Sequence, residues 1–166
     1  GGGQFVNRYS AGTRLQGLTY IVANPSSYMY LNKSRPFGSS STCPYYNEYR
    51  YGLEDLNDYM QVGVAPDYAN RKVIYMLGDR DTVIDSDLDT TCLANRQGRH
   101  RYERGLKFYE HLAQHYGRPV HQRVIVNGVG HSPSQMLKAA RPFINTAVSL
   151  ANGASTGCSG CHAPAQ

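Results

Sequence analysis

His131 lies in Asn127-Gly-Val-Gly-His-Ser-Pro-Ser, a Gly-bounded turn that directly follows the apolar β-branched run Arg123-Val-Ile-Val. Imidazole titrates near neutral pH, so a ring presented on a turn at the end of a strand is placed to act as a general base. Fifty residues earlier a second apolar run, Lys72-Val-Ile-Tyr-Met-Leu, ends in Gly78-Asp-Arg-Asp. If both runs are strands of one parallel sheet, Asp81 and His131 stand at the same carboxyl edge, where open α/β sheets bind their ligands. An aspartate after a strand also caps turns. Asp79, Asp85, Asp87 and Asp89 are close in sequence, so the loop is better defined than the acid within it.

Other reactive residue types carry weaker patterns. His111 and His115 are four apart on a predicted helix, but no third metal ligand accompanies them, and they read as a surface pair. His100, His121 and His162 lack a turn like that of His131. Cys43 and Cys92 sit in loops that leave the same sheet edge, so a Cys43–Cys92 disulfide is expected. Cys158-Ser-Gly-Cys161-His162 matches the Cys-x-x-Cys-His spacing of covalent haem c attachment. Only four residues follow it, and a local disulfide or a plain tail is the simpler reading. Gly1-Gly-Gly is no phosphate loop, because no Lys-Ser/Thr follows.

The elements that must position these residues can be read from spacing. Residues 4–11 have helical periodicity, with Phe5, Val6 and Tyr9 on one side and Gly12 placed to end the helix. Residues 18–23, 73–77 and 124–126 are continuous apolar runs, as buried parallel strands are. Residues 53–60 read as a short helix. Residues 101–116 read as a strong one, with Tyr102, Leu106, Tyr109, Leu112, Ala113 and Tyr116 on one stripe and Gly117 as cap. Residues 134–151 form a closing helix that turns Met136, Leu137, Ala140, Ile144, Ala147 and Val148 inward, with Pro142 kinking or splitting it. This alternation implies an α/β fold with a parallel sheet. Three strands make a small sheet, so part of a larger one is expected.

Five segments carry a resemblance: Gly1-Gly-Gly-Gln-Phe-Val-Asn-Arg-Tyr, Val22-Ala-Asn-Pro-Ser-Ser-Tyr, Gly78-Asp-Arg-Asp, Gln97-Gly with Arg101-Tyr-Glu-Arg-Gly, and Gly128-Val-Gly-His-Ser. In this order they resemble the carboxyl-terminal half of α/β-hydrolase fold proteins, over residues 1–151. The resemblance implies a three-layer sandwich, with residues 1–153 as the second half of the domain and 154–166 as a polar tail. It also implies a carboxylesterase-like serine hydrolase with the triad order Ser, Asp, His. Matched residue by residue, His131 is base then acid, Asp81 orients it, and the Gly1 amide is an oxyanion donor. The nucleophilic serine falls immediately before Gly1. Ser10 is the alternative, but no strand precedes it. The Tyr-rich excursion 24–53 is expected to roof the pocket, with Tyr28, Tyr30, Tyr45 and Tyr46 against a small ester substrate. The amino-terminal half is expected as a separate chain or a preceding segment.

Composition narrows the classes. The net charge of +5 is spread over scattered arginines rather than gathered in a patch, which argues against a nucleic-acid partner. No apolar run reaches the length of a membrane span. Four cysteines, fourteen tyrosines and no tryptophan favour an oxidising compartment, so a secreted, extracellular or periplasmic protein is expected. No cofactor is expected apart from the haem alternative at Cys158, Cys161 and His162. A non-catalytic binding protein on the same scaffold is the competing function.

Overall fold

The three apolar runs are strands β1 (Thr19–Ala23), β2 (Lys72–Gly78) and β3 (Gln122–Val126) in the computed structural model, which describes residues 1–155. All pair in parallel in the order β1-β2-β3, with Tyr20 beside Val73 and Met76 beside Val124. Side chains alternate across a strand. Tyr20, Val22, Val73 and Tyr75 therefore face one side, and Ile21, Ala23, Ile74, Met76 and Val124 the other. Helices α1 (Gly2–Gly12) and α3 (Arg101–Tyr116) cover the first face, and α4 (Pro133–Ser155) packs on the second. The four-residue α2 (Cys92–Asn95) lies in the β2–α3 connection. These three layers are the expected α/β sandwich, in part.

The first-face core is aromatic. Tyr28 stacks on Phe108 at 4.6 Å between centroids, and Tyr30 and Tyr75 meet the same ring edge-on. Burying large rings in this way adds apolar area, and edge-to-face pairs add roughly 0.5–1.5 kcal/mol each. The hydroxyls are a cost that the fold meets in part: Tyr68 and Tyr75 hydrogen-bond each other at 2.8 Å.

Several expectations change. The buried side of α1 is Asn7, Ser10 and Ala11, while Phe5 is exposed. Polar groups can face inward there because Asn7 Oδ1 accepts the Met29 N–H and Ser10 donates to the Asn7 carbonyl. The α3 stripe is rotated: Arg101, Arg104, Gly105, Phe108, His111 and Leu112 are buried. Residues 53–60 form no α-helix, only a 3-10 turn at Asp58–Met60. α4 runs through Pro142 unbroken, and Leu137, Ile144 and Val148 on it are exposed rather than inward. Gly117 does cap α3, at φ 66°. Cys158, Cys161 and His162, and with them the haem alternative, lie outside the described residues.

Candidate functional site

β2 and β3 end side by side, Gly78 beside Val126, and the turns beyond them are stitched together. Asp79 N–H donates to the Val126 carbonyl, and Arg80 N–H to the Val129 carbonyl. The Asp79 carboxylate accepts the Gly128 N–H at 2.7 Å, where Gly128 takes φ 76°. That left-handed conformation is nearly free for glycine and strained for other residues. A Cβ on Gly78 would strike the Val129 carbonyl oxygen, so the close approach of the two turns needs this glycine as well. The result is rigid. Asp81 and His131 leave adjacent turns, and His131 Nδ1 lies 3.0 Å from Asp81 Oδ2.

The pair is asymmetric in its exposure. Asp81 is fully buried, whereas the His131 side chain is 38% exposed. With the carboxyl as acceptor, the ring proton sits on Nδ1. Nε2 takes no hydrogen-bond partner among the described residues, and the ring lines an open cavity of about 660 Å³. Gly1, Gly2 and Gly3 at the start of α1 line the same cavity. A helix N-terminus presents unpaired N–H groups and a partial positive charge, suited to a developing oxyanion. The arrangement can therefore take up a proton at Nε2 and stabilise negative charge nearby.

Behind the pair stand residues that spacing did not single out. Asn24, at the end of β1, accepts the Gly78 N–H at 2.9 Å and donates to the Gly130 carbonyl at 3.2 Å. It ties all three strand ends to the histidine turn. Arg101 is buried at the start of α3 with Nη1 3.6 Å from Asp81 Oδ1, and it forms a two-bond fork with Asp85 at 3.0 and 2.7 Å. Those bonds hold the Asp85 carboxyl well below the usual range, at about 2. Arg101 belongs to one of the segments that carry the resemblance, but no role attaches to it there, because an arginine opening a helix reads as a solvated charge.

The remaining predicted residues fall elsewhere. Tyr28 and Tyr30 are core residues in contact with Phe108. Tyr45 is 69% exposed, and Tyr46 lies under the Arg35 and Arg96 guanidinium groups. None of the four lines the cavity. The excursion touches it through Asn24, Pro25 and Ser26, while Tyr28 and Tyr30 build core. Ser10 is fully buried within α1, its hydroxyl donates to the Asn7 carbonyl, and it does not line the cavity that His131 lines. His111 is no surface ligand: it is buried and its Nε2 accepts the Leu31 N–H at 3.0 Å. The Cys43–Cys92 disulfide is present, with Cα atoms 5.8 Å apart, and joins the excursion to α2. No group of three or more metal-ligating side chains occurs among the described residues, and no described helix is long and apolar enough to cross a membrane.

No model of a known family and no curated protein matches the sequence. Among solved structures, the chain is similar to poly(aspartic acid) hydrolase-1 from Sphingomonas sp. KT-1. The TM-score is 0.61 with 23% identity, over 84% of this chain and 50% of that one. It is also similar to LpqC, a poly(3-hydroxybutyrate) depolymerase from Bordetella parapertussis, with TM-score 0.62 and 24% identity over 86% and 46%. The chain thus spans about half the length of each. Both neighbours are α/β-hydrolase-fold enzymes, and the parallel sheet, its flanking helices and their order give this chain part of the α/β-hydrolase fold.

Proposed function

We propose that residues 1–151 supply the acid–base half of a serine hydrolase acting on carboxylic esters. The observation that carries this reading is the hydrogen bond from a cavity-lining histidine to a buried aspartate, at the end of adjacent parallel strands. The nucleophile is a serine immediately preceding Gly1, so that α1 begins directly after it. His131 Nε2 removes the serine proton as Oγ attacks the ester carbonyl, and Asp81 holds the resulting imidazolium. The Gly1 amide and the N-terminus of α1 stabilise the oxyanion. His131 then returns the proton to the leaving alcohol, and water repeats the cycle on the acyl-enzyme. Poly(3-hydroxybutyrate), named for one neighbour, is a polyester and supports an ester substrate, whereas poly(aspartic acid), named for the other, is joined by amide bonds. The disulfide favours an oxidising compartment, outside the cytosol.

The test uses the full-length protein that carries these residues, with p-nitrophenyl butyrate as substrate and a fluorophosphonate probe for the serine. His131→Asn should lower kcat by about 10⁶-fold and Asp81→Asn by about 10⁴-fold with KM little changed, and labelling should fall in parallel. Unchanged rates in both variants would sink the reading and favour a binding protein on this scaffold.

A further inference from the structure

We propose that Arg101 and Asp85 are positioning residues for the Asp81–His131 couple: Asp85 occupies the guanidinium fork, so Arg101 acts on Asp81 through its charge and leaves the oxygen used by His131 free. The proposal rests on the acid–base reading above and concerns residues that this reading does not use.

The geometry is specific. Arg101 is 1% exposed and Asp81 is buried with it. A buried charge is tolerated only when other groups answer it. An arginine fork matches one carboxylate with two parallel bonds. Here both bonds go to Asp85, through Nη1 and Nη2. The distance left to Asp81, 3.6 Å from Nη1 to Oδ1, is an ion-pair distance and too long for a hydrogen bond. Asp81 Oδ1 accordingly has no hydrogen-bond partner, while Oδ2 is spent on His131. Asp81 is thus oriented by two neighbours, one at each oxygen. Without Asp85, the freed fork would close on both Asp81 oxygens and compete with His131. Without Arg101, Asp81 and Asp85 would share one region with no cation between them.

Other charged and titratable groups bear on this cluster. Arg80 precedes Asp81 on its own turn. Tyr28, from the segment after β1, feels the Asp81 charge, although burial is the larger cause of its raised pKa. Asp87 lines the cavity with His131 and Arg101. Arg104 lies three residues further along α3, and Arg101 contributes, after burial and Asp89, to the shift of its pKa. The α3 N-terminus also points at the site, since Tyr102 N–H donates to the Asp81 carbonyl. None of these is altered by the substitutions below.

The experiment is an NMR titration of the His131 ring in the full-length protein, the signal being assigned by its loss in His131→Asn. Arg101→Gln removes a cation and should move the His131 midpoint up by about half a unit. Asp85→Asn removes an anion and should move it down by a similar amount. Arg101→Lys keeps the charge and should show less than half of the Arg101→Gln shift. Circular dichroism and thermal melting confirm that each variant is folded. A purely structural role loosens the turn in both variants and moves both midpoints in the same direction, which would overturn the proposal. Should Arg101→Gln fail to fold, Asp85→Asn decides alone: a downward shift supports the proposal and any other result overturns it. The ester assay separates the two readings. Opposite shifts with an inert His131→Asn substitution would remove the hydrolase function but keep the electrostatic cluster. Shifts of one sign with an inactive His131→Asn protein would do the reverse.

Discussion

Asn24 takes φ 42° and uses both ends of its amide to fasten the strand ends. Backbone and side-chain contributions can be separated there. Asn24→Gly keeps the left-handed backbone accessible and removes two buried hydrogen bonds. It should cost about 1–3 kcal/mol and disorder the His131 turn, seen as broadened His131 ring signals. Asn24→Asp keeps the acceptor for Gly78 but turns a donor toward the Gly130 carbonyl into a second acceptor, and should cost as much. His111 gives a pH prediction. Burial first, then His115 and Arg35, lower its pKa to about 3, so the folded protein holds it neutral. The unfolded chain takes up this proton near pH 6.5. The stability from burying the neutral ring is full above that pH and declines as pH falls toward 3, by at most roughly 1.4 kcal/mol per pH unit. His111→Gln retains an acceptor for Leu31 N–H and should flatten this slope, as urea midpoints at pH 7 and pH 5 would show. At this scale the site was half legible. Glycine punctuation exposed His131, but the acid among Asp79, Asp81 and Asp85 depends on who else binds each. Asp79 is committed to Gly128 N–H and Asp85 to Arg101, pairings that sequence spacing does not contain.

The strands were readable because parallel strands covered on both faces are apolar throughout. α3 was found with its limits intact, yet its inward stripe was not, for a physical reason. Arg101, Arg104 and His111 are buried because backbone carbonyls, Asp85 or a backbone N–H satisfy them: Arg104, for example, donates to Gly98 O and Asp89 O. A hydrophobic periodicity rule sends such residues outward. The excursion failed for the complementary reason. Its tyrosines carry polar tips that suit a pocket, but the rings of Tyr28 and Tyr30 are needed as core for α3. That packing and the disulfide hold an otherwise irregular segment. Phe108→Ala should cost about 3–5 kcal/mol, since three tyrosines pack on its ring. Replacing Cys43 and Cys92 by serine opens a link between residues 49 apart and should cost about 2–4 kcal/mol. Both can be read from chemical denaturation, and the second should be mimicked by reductant.

At the scale of the molecule, both outer strands, β1 and β3, lack a second neighbour among the described residues. Leu137, Ile144, Val148 and Leu150 leave apolar surface on α4, and the first two line one cavity with Ile21 and Ala23. Surfaces of this kind associate. The 166-residue chain by itself should bind an apolar dye and sediment as concentration-dependent oligomers, and Leu137→Glu with Ile144→Lys should reduce both. A monodisperse chain that excludes the dye would contradict this. The chain order β2, α2, α3, β3 has a different consequence, one of inheritance. Asp81, Arg101 and His131 all lie within one uninterrupted stretch of chain. A recombination break ahead of β2 transmits acid, base and buried cation together, while a break inside α3 separates them. On the proposed acid–base reading, that stretch would carry the proton-transfer groups as a single cassette, separable from the nucleophile.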